Sequence, residues 1–134
     1  MTIHRCRTIT VSIDRDWRAV YDFASVPQNF QRWAAGLGRR FERSGEDWVA
    51  EDPDGHPIRI RFSPPNAFGV LDHTVSAAGR ETHNAVRVVP NGTGAEVMFT
   101  LLKPPEMTED MFIADGAAVE RDLNTLKSLL ERQA

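Results

Sequence analysis

The sequence predicts an α+β domain, a curved seven-stranded antiparallel sheet wrapped around one long C-terminal helix. Three observations predict it. Between Arg39 and Leu102 apolar and polar residues alternate at period two, and turn residues punctuate the run. From Thr108 to Gln133 the apolar period becomes helical, without a proline. Strands and helices are segregated in sequence, which argues for α+β rather than alternating βα units.

The elements follow in order. Thr2–Ile13 reads as a half-buried strand, with Ile9, Val11 and Ile13 on one face and Thr8, Thr10 and Ser12 on the other. Asp14 offers an N-cap for a short helix whose apolar face is Trp17, Val20, Tyr21 and Ala24. Ser25-Val26-Pro27-Gln28 reads as the start of a second short helix: a cap, an early proline and a glutamine three after the cap. Its apolar face is Phe30, Trp33, Ala34 and Leu37, and Gly36 or Gly38 ends it.

Six further strands follow. Arg39–Arg43 and Asp47–Glu51 flank a turn, and Asp54-Gly55 leads by a hairpin into Pro57–Phe62. Pro64-Pro65-Asn66 breaks the chain before Gly69–Ala77. Gly79 turns it into Thr82–Val89, and Asn91-Gly92-Thr93-Gly94 into Ala95–Leu102. Consecutive hairpins make an antiparallel meander with one packed face and one wet face.

In the last stretch Thr108 is the N-cap, with Glu109 and Asp110 where the helix dipole favours negative charge. Steps of about 100° put Met111, Phe112, Val119, Leu123, Leu126, Leu129 and Leu130 in one sector. Gly116 shares that sector and permits close approach. Asp115 and Asp122, about two turns apart, interrupt it. Each needs a partner or a wet cavity. A bent sheet over one helix seldom packs solid, so a cavity between them is expected.

Composition narrows the function. The 134 residues fit a single domain, 1–134, with a real core. The net charge of −3 and the lack of a basic run argue against nucleic acid and anionic membrane as partners. Cys6 stands alone, so no internal disulfide or cysteine zinc cluster is expected, and a reducing cytoplasm fits. MTIHRCRTITVSI has no long apolar core, so neither a signal peptide nor a membrane span is expected there. His4, His56, His73 and His83 lack metal-ligand spacing, and no metal is expected. No P-loop, dinucleotide glycine motif or GxSxG follows a strand, so no cofactor or serine nucleophile is expected.

Three segments carry a family resemblance. VSIDRDWRAVYDFASVPQNFQRWAAGL resembles the strand–helix–helix entry of the START-like helix-grip superfamily (SRPBCC), ending in its characteristic tryptophan, here Trp33. VLDHTVSAAGRETHNAVRVVPNGTGAEVMFTLLKPPEM resembles the last three strands of a bacterial subgroup, and AAVERDLNTLKSLLE its gripping helix. The polyketide cyclase/dehydrase branch is the most similar. The resemblance implies a deep pocket under the C-terminal helix for an apolar or aromatic small molecule, lipid- or polyketide-like. It brings no universal catalytic residue.

The candidate site residues come from parity and period. His73 shares a face with Leu71 and Val75; inward, its imidazole can serve as an acid or base, oriented by Asp115 or Asp122, or as a hydrogen-bonded core histidine. Its neighbour Asp72 should face outward. Asn84 shares a face with Val86 and Val88, where its amide can meet a ligand carbonyl or bridge strands. Arg87, of opposite parity, belongs to the solvated face or to a strand-end acid. Phe30, Trp33 and Trp48 offer aromatic walls, and Phe99 and Val119 lie on the apolar faces of the last strand and the helix. Arg5 and Arg7 share parity with Ile9 and are expected to pair with the helix aspartates. The expected function is binding of an apolar small molecule by a monomer or homodimer. The alternatives are a cyclase or dehydratase using the same cavity, with His73 as the candidate acid–base group, and a protein-interaction module.

Overall fold

The alternation of Arg5–Ile13 makes the first strand, β1, and Gly94–Lys103 makes its partner, β7. They pair antiparallel over their full length, from Arg5 opposite Lys103 to Ile13 opposite Ala95. Here and throughout, the structure is a computed structural model that describes residues 2–37 and 39–132. Between these strands lie α1 (Trp17–Ala24), α2 (Pro27–Trp33), β2 (Arg39–Ser44), β3 (Asp47–Glu51), β4 (Pro57–Phe62), β5 (His73–Ala77) and β6 (Arg80–Asn91). The chain then forms α3 (Glu109–Arg132). The strands form one sheet in the order β1-β7-β6-β5-β4-β3-β2, every neighbouring pair antiparallel. Gly38, one of the two expected ends of α2, and Gln133 lie outside the described residues.

The core forms where the packed face of the sheet meets α1 and α3. Ile9, Ile13, Val86, Val88, Val97 and Leu101 face Val20, Phe112, Leu123, Leu126 and Leu130. The helix sector is as its period predicts, except that Met111 is 39% exposed and Leu129 only partly buried. Thr108 caps α3 through its Oγ1, which accepts from the Met111 N–H at 3.1 Å. At Gly116 the helix crosses β1 so closely that an added Cβ would stand 2.6 Å from Arg7 Nη1.

Local details differ from expectation. Asp16, not Asp14, caps α1 by accepting from Arg18 N at 3.1 Å. A bend closed by Arg15 N to Ile13 O at 2.9 Å delays the helix, and the Asp14 N–H instead donates to Glu131. Ser25 ends α1 rather than capping α2, whose N-cap is Val26 without a side-chain bond; Pro27 alone sets that start. The fifth strand begins at His73 rather than Gly69. Gly69 takes φ +71°, and an added Cβ there would collide with the Val88 carbonyl, so the chain turns instead of pairing regularly.

Candidate functional site

The hollow arises because α3 packs mainly along β1 while the sheet curls away from it toward β4. The space left over is about 320 Å³ and is closed on one side by α2. Its sheet wall includes Ile60, His73, Val75, Asn84 and Phe99, its helical walls Phe30 and Trp33 from α2, and Asp115, Val119 and Asp122 from α3. Trp48 lies elsewhere, stacked on Phe41 with ring centroids 4.8 Å apart. The other eight residues singled out from sequence are brought together here. Ile60 and Val75, a cross-strand pair on the floor, were not singled out. Their signal was parity: Val75 shares a face with His73, and Ile60 alternates with Arg59 and Arg61.

His73 is 4% exposed. Its Nδ1 lies 3.1 Å from the Leu71 carbonyl, which can only accept, so Nδ1 carries the proton. Nε2 is then the acceptor for the Asn84 amide at 3.3 Å. Phe30, Phe62 and Phe99 surround the ring with centroids 5.2 to 6.1 Å away. Burial pushes the imidazole pKa below its ordinary value, with the Leu71 carbonyl opposing, so the ring is neutral at physiological pH. Neither aspartate orients it, a correction to the expected arrangement. The partner was in fact legible: the two-residue loop Ala78-Gly79 pairs Ala77 with Arg80, and counting back from it puts His73 opposite Asn84.

The two aspartates stand on the cavity side of α3. Asp122 Oδ1 accepts from the Ala35 N–H at 3.2 Å, tying the helix to the chain just after α2. Asp115 has no hydrogen bond among those of the described residues; it keeps solvent access and marks the cavity mouth. Burial raises both pKa values, opposed at Asp122 by the Ala35 N–H and Arg121. Arg5 and Arg7 pair with glutamates instead: Arg5 with Glu109 at 2.7 Å and Arg7 with Glu120 at 3.6 Å. Those glutamates lie on the β1 side of the helix, the aspartates about a quarter-turn or more away. Trp33 has a buried indole N–H with no acceptor among the described residues.

Asp72 is not the surface residue expected. Its side chain is 14% exposed. It accepts from the Val86 N–H at 2.8 Å and from Arg87 at 2.7 and 3.1 Å. The irregular approach to β5 brings it against Arg87 of the neighbouring strand β6, and Arg87 holds its pKa below the usual range. Arg87 thus meets the acid its parity allowed. The Tyr21 hydroxyl accepts from the Asn66 N–H at 2.9 Å, fixing the Pro64–Asn66 break over α1. Arg59 and Arg61 lie on the wet face, paired with Asp47 at 3.1 and 2.7 Å. Asp52, Asp54 and His56 place ligand atoms within 4.8 Å of one another, a grouping that histidine spacing alone did not reveal. Asp52 there already accepts the Asp54 and His56 amides, as a turn clamp does.

No family model matches the sequence, and no curated protein does. Solved structures do match. DynU16, described as a putative protein in the dynemicin biosynthetic locus, superposes with a TM-score of 0.73 at 15% identity over 94% of this chain. This chain spans only 47% of DynU16. CalU16 from Micromonospora echinospora gives 0.69 at 16% identity, over 95% of this chain and 74% of that one. A protein from Mesorhizobium loti gives 0.77 at 12% identity, over 97% and 99% of the two chains. The chain therefore shares the fold of these structures, a helix-grip arrangement of one antiparallel sheet and a long C-terminal helix. At these identities the likeness is one of fold. Among the described residues no helix is long and apolar enough to cross a membrane.

Proposed function

We propose that the protein binds a compact apolar or aromatic small molecule between the sheet and α3. The observation that carries this reading is a 320 Å³ hollow walled by aromatic and aliphatic side chains with a few polar groups. Ligand sites usually run from about 300 to 1,000 Å³, so this one sits at the small end. Such a hollow has room for one or two fused rings. Its amide and carboxyl groups are few enough to orient a ligand without wetting the whole site.

The test is a titration with a neutral probe, 2-naphthalenemethanol, followed by tryptophan fluorescence. Saturable binding to the parent protein is expected. Val119→Trp places an indole in the hollow and should abolish binding, with a thermal melt confirming that the variant folds. Equal binding by parent and variant removes the cavity from the reading.

A second reading, cyclisation or dehydration in the same hollow, has one specific support. Asp115 and Asp122 stand on the cavity side of α3, and burial raises the pKa of each, the direction general-acid work needs. His73 is less suited, since both its ring nitrogens are engaged. Turnover that survives His73→Gln but falls at least about a hundredfold in an aspartate-to-asparagine variant supports this second reading; the reverse pattern returns the role to His73.

A further inference from the structure

The charges around the hollow are all of one sign. Asp115 and Asp122 line it, and no lysine or arginine among the described residues does. The three glutamates of α3 are treated differently, while Asp110 is exposed in the first turn. Glu109 and Glu120, on the β1 side, are met by Arg5 and Arg7, and Glu131 by Lys127 at 2.8 Å. The well-covered acids of the sheet, Asp47 and Asp72, each hold arginine. On the cavity side, among the described residues, Asp122 hydrogen-bonds only with the Ala35 amide, Arg121 acting on it without an ion pair, and Asp115 has no bonding partner. The one other titratable group of the wall, His73, is a neutral ring locked by Leu71 and Asn84. Two carboxyls facing an otherwise apolar space lack a counter-charge that the protein supplies elsewhere on the same helix.

We propose that the ligand is an aromatic or alicyclic amine, whose ring body fills the hollow against Phe30, Trp33 and Val119 and whose ammonium meets Asp115 and Asp122. The inference rests on the binding reading above and sharpens it. The ammonium supplies the missing charge through charge-assisted hydrogen bonds, and the aromatic wall tolerates a cation beside it. A carboxylate or phosphate of the same size meets two like charges, one at the exposed mouth and one half-buried, so free fatty acids and acidic aromatics are selected against. Asp115 at the mouth and Asp122 further in lie about 10 Å apart along the helix, so one ammonium is held chiefly by one of them. Burial raises the pKa of each carboxyl, as an unmet anion requires.

Three probes with one ring body separate the possibilities: 2-naphthalenemethylamine, 2-naphthalenemethanol and 2-naphthoate, titrated at neutral pH into the parent and into the double variant Asp115→Asn, Asp122→Asn. Asparagine at 122 keeps an acceptor for the Ala35 amide, so the fold is retained, and a thermal melt confirms it. The parent should bind the amine about tenfold or more tighter than the alcohol, and the carboxylate weakest. In the double variant the amine and alcohol should converge. An alcohol bound as tightly as the amine, or an amine preference that survives in the variant, overturns this inference and leaves cavity binding standing. Failure of all three probes overturns both.

Discussion

At the scale of single residues, His73 shows how a polar group becomes structural. Its ring is buried among phenylalanines with a fixed tautomer, so protonation on folding is disfavoured. A depressed folded pKa gives a stability that is complete above the unfolded value near 6.5 and is lost as pH falls from there toward the folded pKa. The cavity aspartates act oppositely: with raised pKa values, they contribute below about 3.8 and lose that contribution as pH rises through their folded values. The two effects run in opposite senses with pH, so the comparison must be differential. Urea unfolding of the parent should weaken between pH 7 and 5 relative to His73→Phe, in which that loss disappears. Parallel pH profiles of the two proteins exclude the assignment. Parity alone put His73 and Asn84 inward. That they bond to each other needed the register fixed by Ala78-Gly79, and the aspartates' lack of cationic partners needed the third dimension.

At the scale of elements, the glycines report where backbones meet. Gly69 has positive φ, and its missing side chain faces the Val88 carbonyl, which cannot yield. Gly69→Ala should cost about 2 kcal/mol or more from left-handed strain and the backbone clash combined. Gly116 is helical, and what its Cβ would meet is the end of the flexible Arg7 side chain. Gly116→Ala should therefore be neutral or stabilise by up to about 1 kcal/mol, the helix-propensity gain outweighing an exposed, long ion pair. Chemical denaturation checks both, and an inverted order contradicts the reading that Arg7 gives way at Gly116 while the Val88 carbonyl cannot at Gly69. Element types were legible throughout, because period two and the helical period are local signals. Caps were less so: Asp14, Asp16 and Ser25 are all competent N-cap residues, and only the bend after Ile13 and the end of α1 decide their use.

At the scale of the whole molecule, the meander and the covering helix follow from hairpin signals and one amphipathic stripe. The seat of α3 along β1, which opens the hollow toward β4, does not. It depends on the curl of seven strands and on α2 closing the side, and no pair of residues announces it. Trp48 illustrates the limit: its composition and parity suit a cavity wall, yet the curl takes it to a stack with Phe41. The central claim is that the hollow, not a surface groove, holds the ligand. A crystal structure of the protein soaked with 2-naphthalenemethanol tests it most directly. The account predicts ring density between Phe99 and Val119, with the hydroxyl near Asn84 or an aspartate; density only in the surface groove between Pro57 and Arg80, or none in the hollow, contradicts it.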